Sequence, residues 1–266
     1  MTTATTRPAE DSQVEVVSGY APVHGLEMYY EIHGEKRGAE PPVLLLHGGP
    51  TTITTSFGLM LPTLTAKRQI IAVEQQGHGH TADIDRPMSY AQMAEDTAAL
   101  LKHLGLEGVD VLGFSDGGVV GLGLTMRYPV LVRKLVIAGA NYHIDGLYPE
   151  IVEFLKKAGP DDFGQLRGAY EQVAPDPEHW PTTVAKTMRM AIEFEGWPED
   201  GLRSIQAPVL IVIGDRDVVR PEHAVALFRL LPHASLAILP DTDHVAVVLK
   251  PERLLAASLE FLGAPG

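Results

Sequence analysis

The sequence predicts an α/β protein whose sheet is mostly parallel and covered by helices on both faces. One observation is a series of short, wholly apolar runs, such as residues 43–46 and 209–213, which are typical of strands buried on both faces. The other is that segments of helical hydrophobic periodicity separate these runs, as strand–helix–strand crossovers require. The predicted fold class is therefore a doubly wound sheet with right-handed crossovers.

The individual elements follow from the same patterns. Two strands that precede the first wholly apolar run surround a turn at Pro22 and Gly25. The predicted strands are residues 14–18, 26–32, 43–46, 70–73, 109–112, 135–138, 209–213 and 236–239. The predicted helices between and after them are residues 90–104, 119–128, 222–231 and 252–262.

The stretch between the strands at 135–138 and 209–213 predicts an insertion. About seventy residues lie there, whereas a simple crossover needs only about a dozen. Three short helical patterns at 147–157, 163–172 and 182–194, punctuated by Gly and Pro, indicate a helical lid rather than a second core. The predicted division is a polar tail at 1–13, a core at 14–140 and 205–266, and the lid at 141–204.

Composition and charge exclude several classes of protein. With 266 residues, 45% of them hydrophobic, the chain can bury a large core, which excludes a disordered or fibrous protein. Its 34 acidic and 21 basic residues give a net charge of -13, which argues against a nucleic-acid partner. The absence of cysteine excludes disulfides, thiol nucleophiles and cysteine-ligated metals.

The N-terminal residues and the length of the apolar runs indicate in which cellular compartment the protein is expected. Residues 1–13 are polar and rich in Thr, unlike a secretory signal. Every apolar run is too short to span a bilayer. We therefore expect a cytoplasmic protein without a membrane partner. The sequence leaves the oligomeric state open, a homo-oligomer included.

Residues 113–118, which read Gly-Phe-Ser-Asp-Gly-Gly, predict a catalytic nucleophile at Ser115. They follow a buried strand and open a helix, which is the context that the nucleophile-elbow pattern G-x-S-x-G requires. The tight turn forces the serine into a strained backbone conformation, and a larger side chain at Gly113 or Gly117 would clash with the neighbouring chain. The alternative is a glycine-rich turn with an incidental serine.

A serine hydroxyl needs a base to remove its proton and a carboxylate to orient that base. Among the eleven histidines, His244 alone occupies the loop between the last strand and the final helix. Asp215 and Asp217 both follow the strand at 209–213, and we favour Asp217 because Asp215, directly at the strand end, has less reach over the sheet. The order Ser115, Asp217, His244 is the order that this architecture uses.

Two further groups of residues border this constellation. Gly49, in the His-Gly-Gly-Pro sequence that ends the strand at 43–46, predicts an oxyanion hole in which its N–H and that of Asp116 are the donors. A plain turn is the alternative. The His78 and His80 spacing suggests a metal, but no third ligand is evident, so we favour loop packing and predict neither metal nor cofactor.

Over residues 14–262 the sequence resembles the α/β-hydrolase superfamily, with its motifs in the expected order and a lid at the expected insertion point. The elbow at 113–118 is similar to that of valacyclovir-hydrolase-like aminoacyl esterases, in which the acid after the serine contacts the substrate amino group. That resemblance implies the same role for Asp116, and the alternative is that Asp116 favours the helix N-terminus. Residues 74–79 depart from the pattern, because relatives commonly carry an Asp and an Arg there.

The inserted segment contributes candidates for substrate binding. Trp180 and Trp197, together with Phe154 and Phe194, are candidates to line an acyl or alcohol pocket. The alternative is that these four aromatic residues form the core of a small lid.

The predicted function is a cofactor-independent serine hydrolase that cleaves a small carboxylic ester or lactone through an acyl-enzyme on Ser115. The same triad also serves amide, carbon–carbon bond and perhydrolase chemistry, because fold does not fix function. A ligand receptor with slow turnover, using the lid as a switch, is an alternative of another class.

Overall fold

The computed structural model describes residues 15–36, 38 and 40–264, so the predicted polar tail at 1–13 lies outside the described residues. The strands are β1 (Val16–Val23), β2 (Leu26–His33), β3 (Val43–Leu46), β4 (Ile70–Val73), β5 (Val109–Phe114), β6 (Val132–Ala138), β7 (Val209–Arg216) and β8 (Ala234–Asp243). The α-helices are α1 (Ile53–Phe57), α2 (Leu61–Thr65), α3 (Tyr90–His103), α4 (Asp116–Arg127), α5 (Pro149–Leu155), α6 (Gly164–Glu171), α7 (Trp180–Glu193), α8 (Glu199–Arg203), α9 (Pro221–Leu230), α10 (Ala246–Leu249) and α11 (Glu252–Gly263).

Within the described residues the strands form one eight-stranded sheet in the order β1-β2-β4-β3-β5-β6-β7-β8. The pairs β1–β2 and β2–β4 are antiparallel, and the remaining pairs are parallel. The apolar runs reflect burial on both faces: Leu44 and Leu46 of β3 pack into one hydrophobic core, and Val43 and Leu45 pack into the other. The predicted fold class, a mostly parallel sheet between helices, is confirmed.

Some element boundaries differ from the prediction. Strand β1 runs on through Pro22 to a turn at His24 and Gly25, whose φ angles of 47° and 87° are those of a tight hairpin. An edge strand tolerates this proline because one side of its backbone needs no ladder hydrogen bond. Helices α1 and α2 were not predicted, since a Thr-rich sequence with few apolar residues hides a helix as short as α1.

Helix α4 begins at Asp116, three residues earlier than predicted. The glycines that follow have low helix propensity and so mask the start in the sequence. They are required by close packing, because a Cβ atom at Gly117 would overlap the backbone of Leu46 and one at Gly118 would lie 2.6 Å from the Cβ of Ala140.

Helices α5 to α8 lie between β6 and β7, within the predicted lid segment at 141–204. Tyr170, Trp180, Val184 and Met188 form a small hydrophobic core there. Lys186 of helix α7 forms an ion pair of 2.7 Å with Asp83 in the loop after β4, and His179 Nε2, just before the helix, lies 2.9 Å from the same carboxylate. No helix within the described part of the chain is long and apolar enough to cross a membrane.

Candidate active site

Ser115 lies at the turn between β5 and α4, with φ 52° and ψ -122°. This left-handed φ is strained for a residue with a side chain, and such strain is typical of functional turns. The turn is possible because its neighbours lack side chains: a Cβ atom at Gly113 would overlap the backbone of Gly117. The local sequence therefore fixes a serine at the apex of a tight strand-to-helix turn, as the elbow pattern predicts.

The three residues predicted as a triad meet at the carboxyl ends of their strands. The Nε2 atom of His244 lies 3.1 Å from Ser115 Oγ, and its Nδ1 atom lies 2.7 Å from Asp217 Oδ1. Since a carboxylate only accepts hydrogen bonds, the ring proton is on Nδ1, which leaves Nε2 to accept the proton of the serine hydroxyl. This arrangement of the three side chains allows His244 to act as a base toward Ser115.

Asp217 is buried, yet it is held as a carboxylate. Burial raises the pKa of Asp217, but hydrogen bonds from His244 and from the N–H groups of Val219 and Gly214 outweigh burial and leave that pKa below its ordinary value. Both backbone donors are 3.3 Å from the carboxyl oxygens. The loop after β7 thus supplies an ionised acid that stabilises a protonated His244.

The rival acid, Asp215, points elsewhere. It is exposed, and its Oδ1 atom accepts a hydrogen bond from the N–H of Thr242 at 3.1 Å. That contact lies at an irregularity in the β7–β8 pairing, between the Gly214–Leu239 and Arg216–Asp243 pairs. The structure therefore brings Asp217, and not Asp215, to the imidazole of His244.

Gly49 and Asp116 both line the cavity that contains Ser115. Within the described residues, neither backbone N–H makes a hydrogen bond, so both remain available to a ligand. The loop that carries Gly49 is fixed through Gly48, whose carbonyl accepts from Thr51 Oγ1 at 2.5 Å and whose N–H donates to Ser56 Oγ at 3.3 Å. Two unpaired donors beside a nucleophile are the arrangement that an oxyanion requires.

The side chain of Asp116 points into the site rather than along the helix. Its Oδ1 atom accepts a hydrogen bond of 2.7 Å from the Tyr90 hydroxyl, and its Oδ2 atom lies against Gly49, where a Cβ atom would overlap it. Burial raises the pKa of Asp116 to about 6, against smaller lowering effects of the Tyr90 hydrogen bond and of nearby His244. Asp116 therefore carries a titratable charge next to the nucleophile.

The cavity above Ser115 has a volume of about 210 Å³. Its polar groups are those of the site together with Tyr90 and Asn141. The inserted segment supplies most of its apolar wall, through Leu147, Ile151, Phe154, Leu155, Phe163, Met188 and Ala191. A small ligand with an apolar part fits such a cavity.

The sequence model of the Alpha/beta hydrolase family matches residues 43–257, which is most of the chain and includes the elbow, the Asp217 loop and His244. The chain belongs to the α/β-hydrolase family.

Relatives of this hydrolase include enzymes of more than one activity. It is 28% identical to a human protein named serine hydrolase BPHL over 250 residues, which cover 89% of this chain and 83% of the relative. It is 32% identical to the proline iminopeptidase of Clostridioides difficile over 291 residues, 94% of this chain and 99% of the relative. The solved enol-lactonase of Burkholderia xenovorans LB400 shares the fold, with TM-score 0.74 and 18% identity over 92% of this chain and all of that one.

The structure corrects the expectation for the two tryptophans of this hydrolase, because neither lines the cavity. Trp180 is fully buried in the small core of the inserted segment, and its Nε1 atom donates to the carbonyl of Pro160 at 3.1 Å. Trp197 packs on α4 and donates to the carbonyl of Val119 at 2.9 Å. Both indoles satisfy their N–H groups within the protein, as buried tryptophans require. Of the two phenylalanines, Phe154 lines the cavity and Phe194 packs against Tyr90.

The histidines after β3 and β4 have packing partners of their own. His47 Nε2 accepts from the N–H of Gln75 at 3.0 Å, and His78 Nδ1 faces the carbonyl of Gln76 at 2.9 Å. Burial lowers the pKa of both, that of His78 to about 3. His80 Nδ1 pairs with Glu74 at 2.8 Å, which raises the pKa of that imidazole. No group of three or more metal-ligating side chains occurs among residues 15–36, 38 and 40–264.

Gly139, which follows β6 and adjoins the pair of His244 and Asp217, was not predicted as a site residue. Its φ is +60°, and a Cβ atom there would lie 3.0 Å from the His244 ring and 3.3 Å from Asp217 Oδ2. A glycine directly after a predicted strand was the only available signal, and it does not by itself indicate a site. Gly139 leaves room for the imidazole to lie over the sheet.

The substitution Gly139→Ala is expected to lower kcat/KM by about 10- to 100-fold, because the added methyl group displaces an imidazole that must stay within hydrogen-bond reach of Ser115. The matched control is Gly105→Ala, which has a similar φ of +67° but no atom within 4 Å of the added Cβ. Both variants share a backbone strain of about 1–2 kcal/mol, to be measured by denaturant unfolding. Equal activity of the two variants would show that Gly139 has no role in placing His244.

Proposed function

We propose that this chain is a serine hydrolase that cleaves a small carboxylic ester or lactone through an acyl-enzyme on Ser115. The observation that carries the proposal is the continuous chain of hydrogen bonds from Ser115 through His244 to Asp217. In the first step His244 takes the hydroxyl proton while Ser115 Oγ attacks the carbonyl carbon. Asp217 stabilises the imidazolium that forms.

The negative charge that develops on the carbonyl oxygen is held by the N–H groups of Gly49 and Asp116. Each such donor is worth on the order of 3 kcal/mol in a transition state. His244 then gives its proton to the leaving oxygen, and the acyl-enzyme remains on Ser115. Water deprotonated by His244 releases the acid and restores the serine, so no cofactor is needed.

The same geometry orients the substrate. The leaving oxygen must face His244, because this residue protonates it. The acyl part then extends into the rest of the cavity, which Asp116 and Tyr90 border. A carboxylate beside the oxyanion hole opposes the charge that develops on a neutral ester, and a cationic amine on the acyl part offsets that repulsion. This supports Asp116 as a site for a substrate ammonium group.

The substitution Asp116→Asn is expected to lower kcat/KM for an α-amino ester by about 10- to 100-fold, the worth of a hydrogen bond to a charged group. The value for the des-amino ester of equal size should stay or rise, since repulsion of the oxyanion is removed. In the unmodified chain the amine preference should increase as the pH rises through about 6, where Asp116 ionises, and fade below it. Equal losses on both esters would mean that Asp116 supports only the start of α4.

Amide cleavage is the second candidate, supported by the 32% identity to a proline iminopeptidase. An amino acid amide also places a cationic amine beside the scissile carbonyl. A panel of matched esters, lactones and amides, each with and without the α-amino group, decides between the two activities. Multiple turnovers on p-nitrophenyl esters would exclude the slow-turnover receptor, and a single turnover would support it.

A further inference from the structure

Tyr90 is the first residue of α3 and is buried, with 4% of its surface exposed. Its hydroxyl donates a hydrogen bond of 2.7 Å to Asp116 Oδ1, and the edge of its ring meets Phe194 at a centroid distance of 4.8 Å. Burial, together with the charge of Asp116, raises the pKa of Tyr90 well above its ordinary value. The phenol therefore keeps its proton at neutral pH and remains a donor.

Two polar atoms of the residues behind Asp116 are acceptors. Asp116 borders a small void shared with Gln75 and His78. The Oε1 atom of Gln75 is buried there without a hydrogen-bond partner in the described structure. His78 directs its Nδ1 atom at the carbonyl of Gln76, so its Nε2 atom on the other side of the ring is also an acceptor. Within the described residues, Tyr90 alone donates a side-chain hydrogen bond to Asp116.

We propose that Tyr90 is a specificity-determining positioning residue. Its hydrogen bond fixes the orientation of the Asp116 carboxylate, so that the site prefers acyl groups that carry a primary ammonium. The proposal deepens the proposed function and rests on it. The hydrogen bond to Oδ1 fixes the rotation of the carboxyl group and leaves Oδ2 turned toward Gly49 and the oxyanion side. A hydrogen bond to the charged form of an acid also favours that form.

The other titratable groups around Asp116 determine whether it can keep its charge. Tyr90 on α3 stays protonated, and His47 and His78, in the loops after β3 and β4, stay neutral because burial lowers their pKa. His244, in the loop after β8, is the remaining one, and its Nδ1 atom is hydrogen-bonded to Asp217 Oδ1. Loss of the Tyr90 hydroxyl therefore removes the one side-chain hydrogen bond that Asp116 accepts within the described residues, and the carboxyl group gains its proton at a higher pH.

The test is the isosteric substitution Tyr90→Phe, with the ratio of kcat/KM for an alanine ester to that for the matching propionate ester measured from about pH 5 to about pH 9. We expect the midpoint of this ratio to move up by about one to two pH units, the worth of a hydrogen bond to a charged group. At neutral pH the ratio should fall about two- to tenfold, because kcat/KM for the alanine ester falls more than that for the propionate ester. The ionisation of the substrate amine is common to both enzymes and cancels in the comparison.

Tyr29→Phe is the matched control, because Tyr29 is also buried and its hydroxyl also donates to a carboxylate, that of Glu31 at 3.0 Å, on β2. This control should leave the ratio and its pH profile unchanged. A Tyr90→Phe profile that superimposes on that of the unmodified chain would overturn the proposal. Equal losses on both esters would also overturn it, since they indicate only a packing role.

A second measurement does not depend on ester hydrolysis. Carbon-13 NMR of carboxyl-labelled aspartate, with the Asp116 resonance assigned by its loss in Asp116→Asn, gives the titration midpoint directly. An upward shift in Tyr90→Phe supports the effect of Tyr90 on Asp116 even if the proposed ester substrates are wrong. An unchanged midpoint overturns that effect even if ester hydrolysis depends on Ser115.

Discussion

Replacement of Ser115 by alanine is expected to lower kcat for ester hydrolysis by about 10⁴- to 10⁶-fold. The substitution removes the only atom that forms the acyl-enzyme and leaves the binding cavity and the N–H groups of Gly49 and Asp116 in place. Steady-state kinetics on a p-nitrophenyl ester, with purified protein at high concentration, measures the residual rate. KM should change little by comparison.

A fluorophosphonate probe provides the control for this variant. The unmodified chain should be labelled once, on Ser115, and Ser115→Ala should not be labelled. A thermal unfolding profile close to that of the unmodified chain verifies that the variant is folded. Such a profile is expected, because the φ of 52° at this position strains serine and alanine alike. Near-normal activity in Ser115→Ala would end the mechanism proposed above.

The substitution Asp217→Asn is expected to lower kcat by about 10⁴-fold at neutral pH. An amide in place of the carboxylate can donate to Nδ1 of His244, which favours the tautomer with its proton on Nε2. That tautomer cannot accept the proton of Ser115. The protein should also lose some stability, because the buried N–H groups of Gly214 and Val219 then face a weaker acceptor.

Asp215→Asn is the matched control, two residues away at the end of β7, just before the loop that carries Asp217. Its side chain caps the N–H of Thr242 and does not contact His244, so kcat should stay within about threefold of the unmodified value. If Asp215→Asn were the inactive variant and Asp217→Asn the active one, the orientation of this loop would be wrong.

Much of the fold and the elbow could be predicted because the signals are local. Strands such as β3 are buried on both faces and therefore appear as unbroken apolar runs. The close approach of β5, α4 and the backbone at Leu46 admits only glycine at two positions, and glycine is visible in a sequence. The order of Asp217 and His244 follows from the strands that precede them.

The rest could not be predicted because it depends on contacts between distant elements. The hydroxyl of Tyr90 reaches Asp116 across 26 positions of the chain, and no pattern near either residue indicates the pair. Trp180 has the size and polarity of a pocket residue, yet its burial against Tyr170 of α6 is decided by how the inserted helices pack. The same holds for Gly139, whose importance lies in the ring of His244 above it.

The most direct test of the central proposal is to trap the acyl-enzyme. The protein would be mixed with excess p-nitrophenyl ester, quenched in acid during turnover, and analysed by intact mass spectrometry and peptide mapping, with His244→Ala and Ser115→Ala treated in parallel. The account predicts a mass increase of one acyl group in the unmodified chain, located on the peptide that contains Ser115, and none in Ser115→Ala. An acyl group on any other residue, or turnover equally fast in Ser115→Ala, would contradict it.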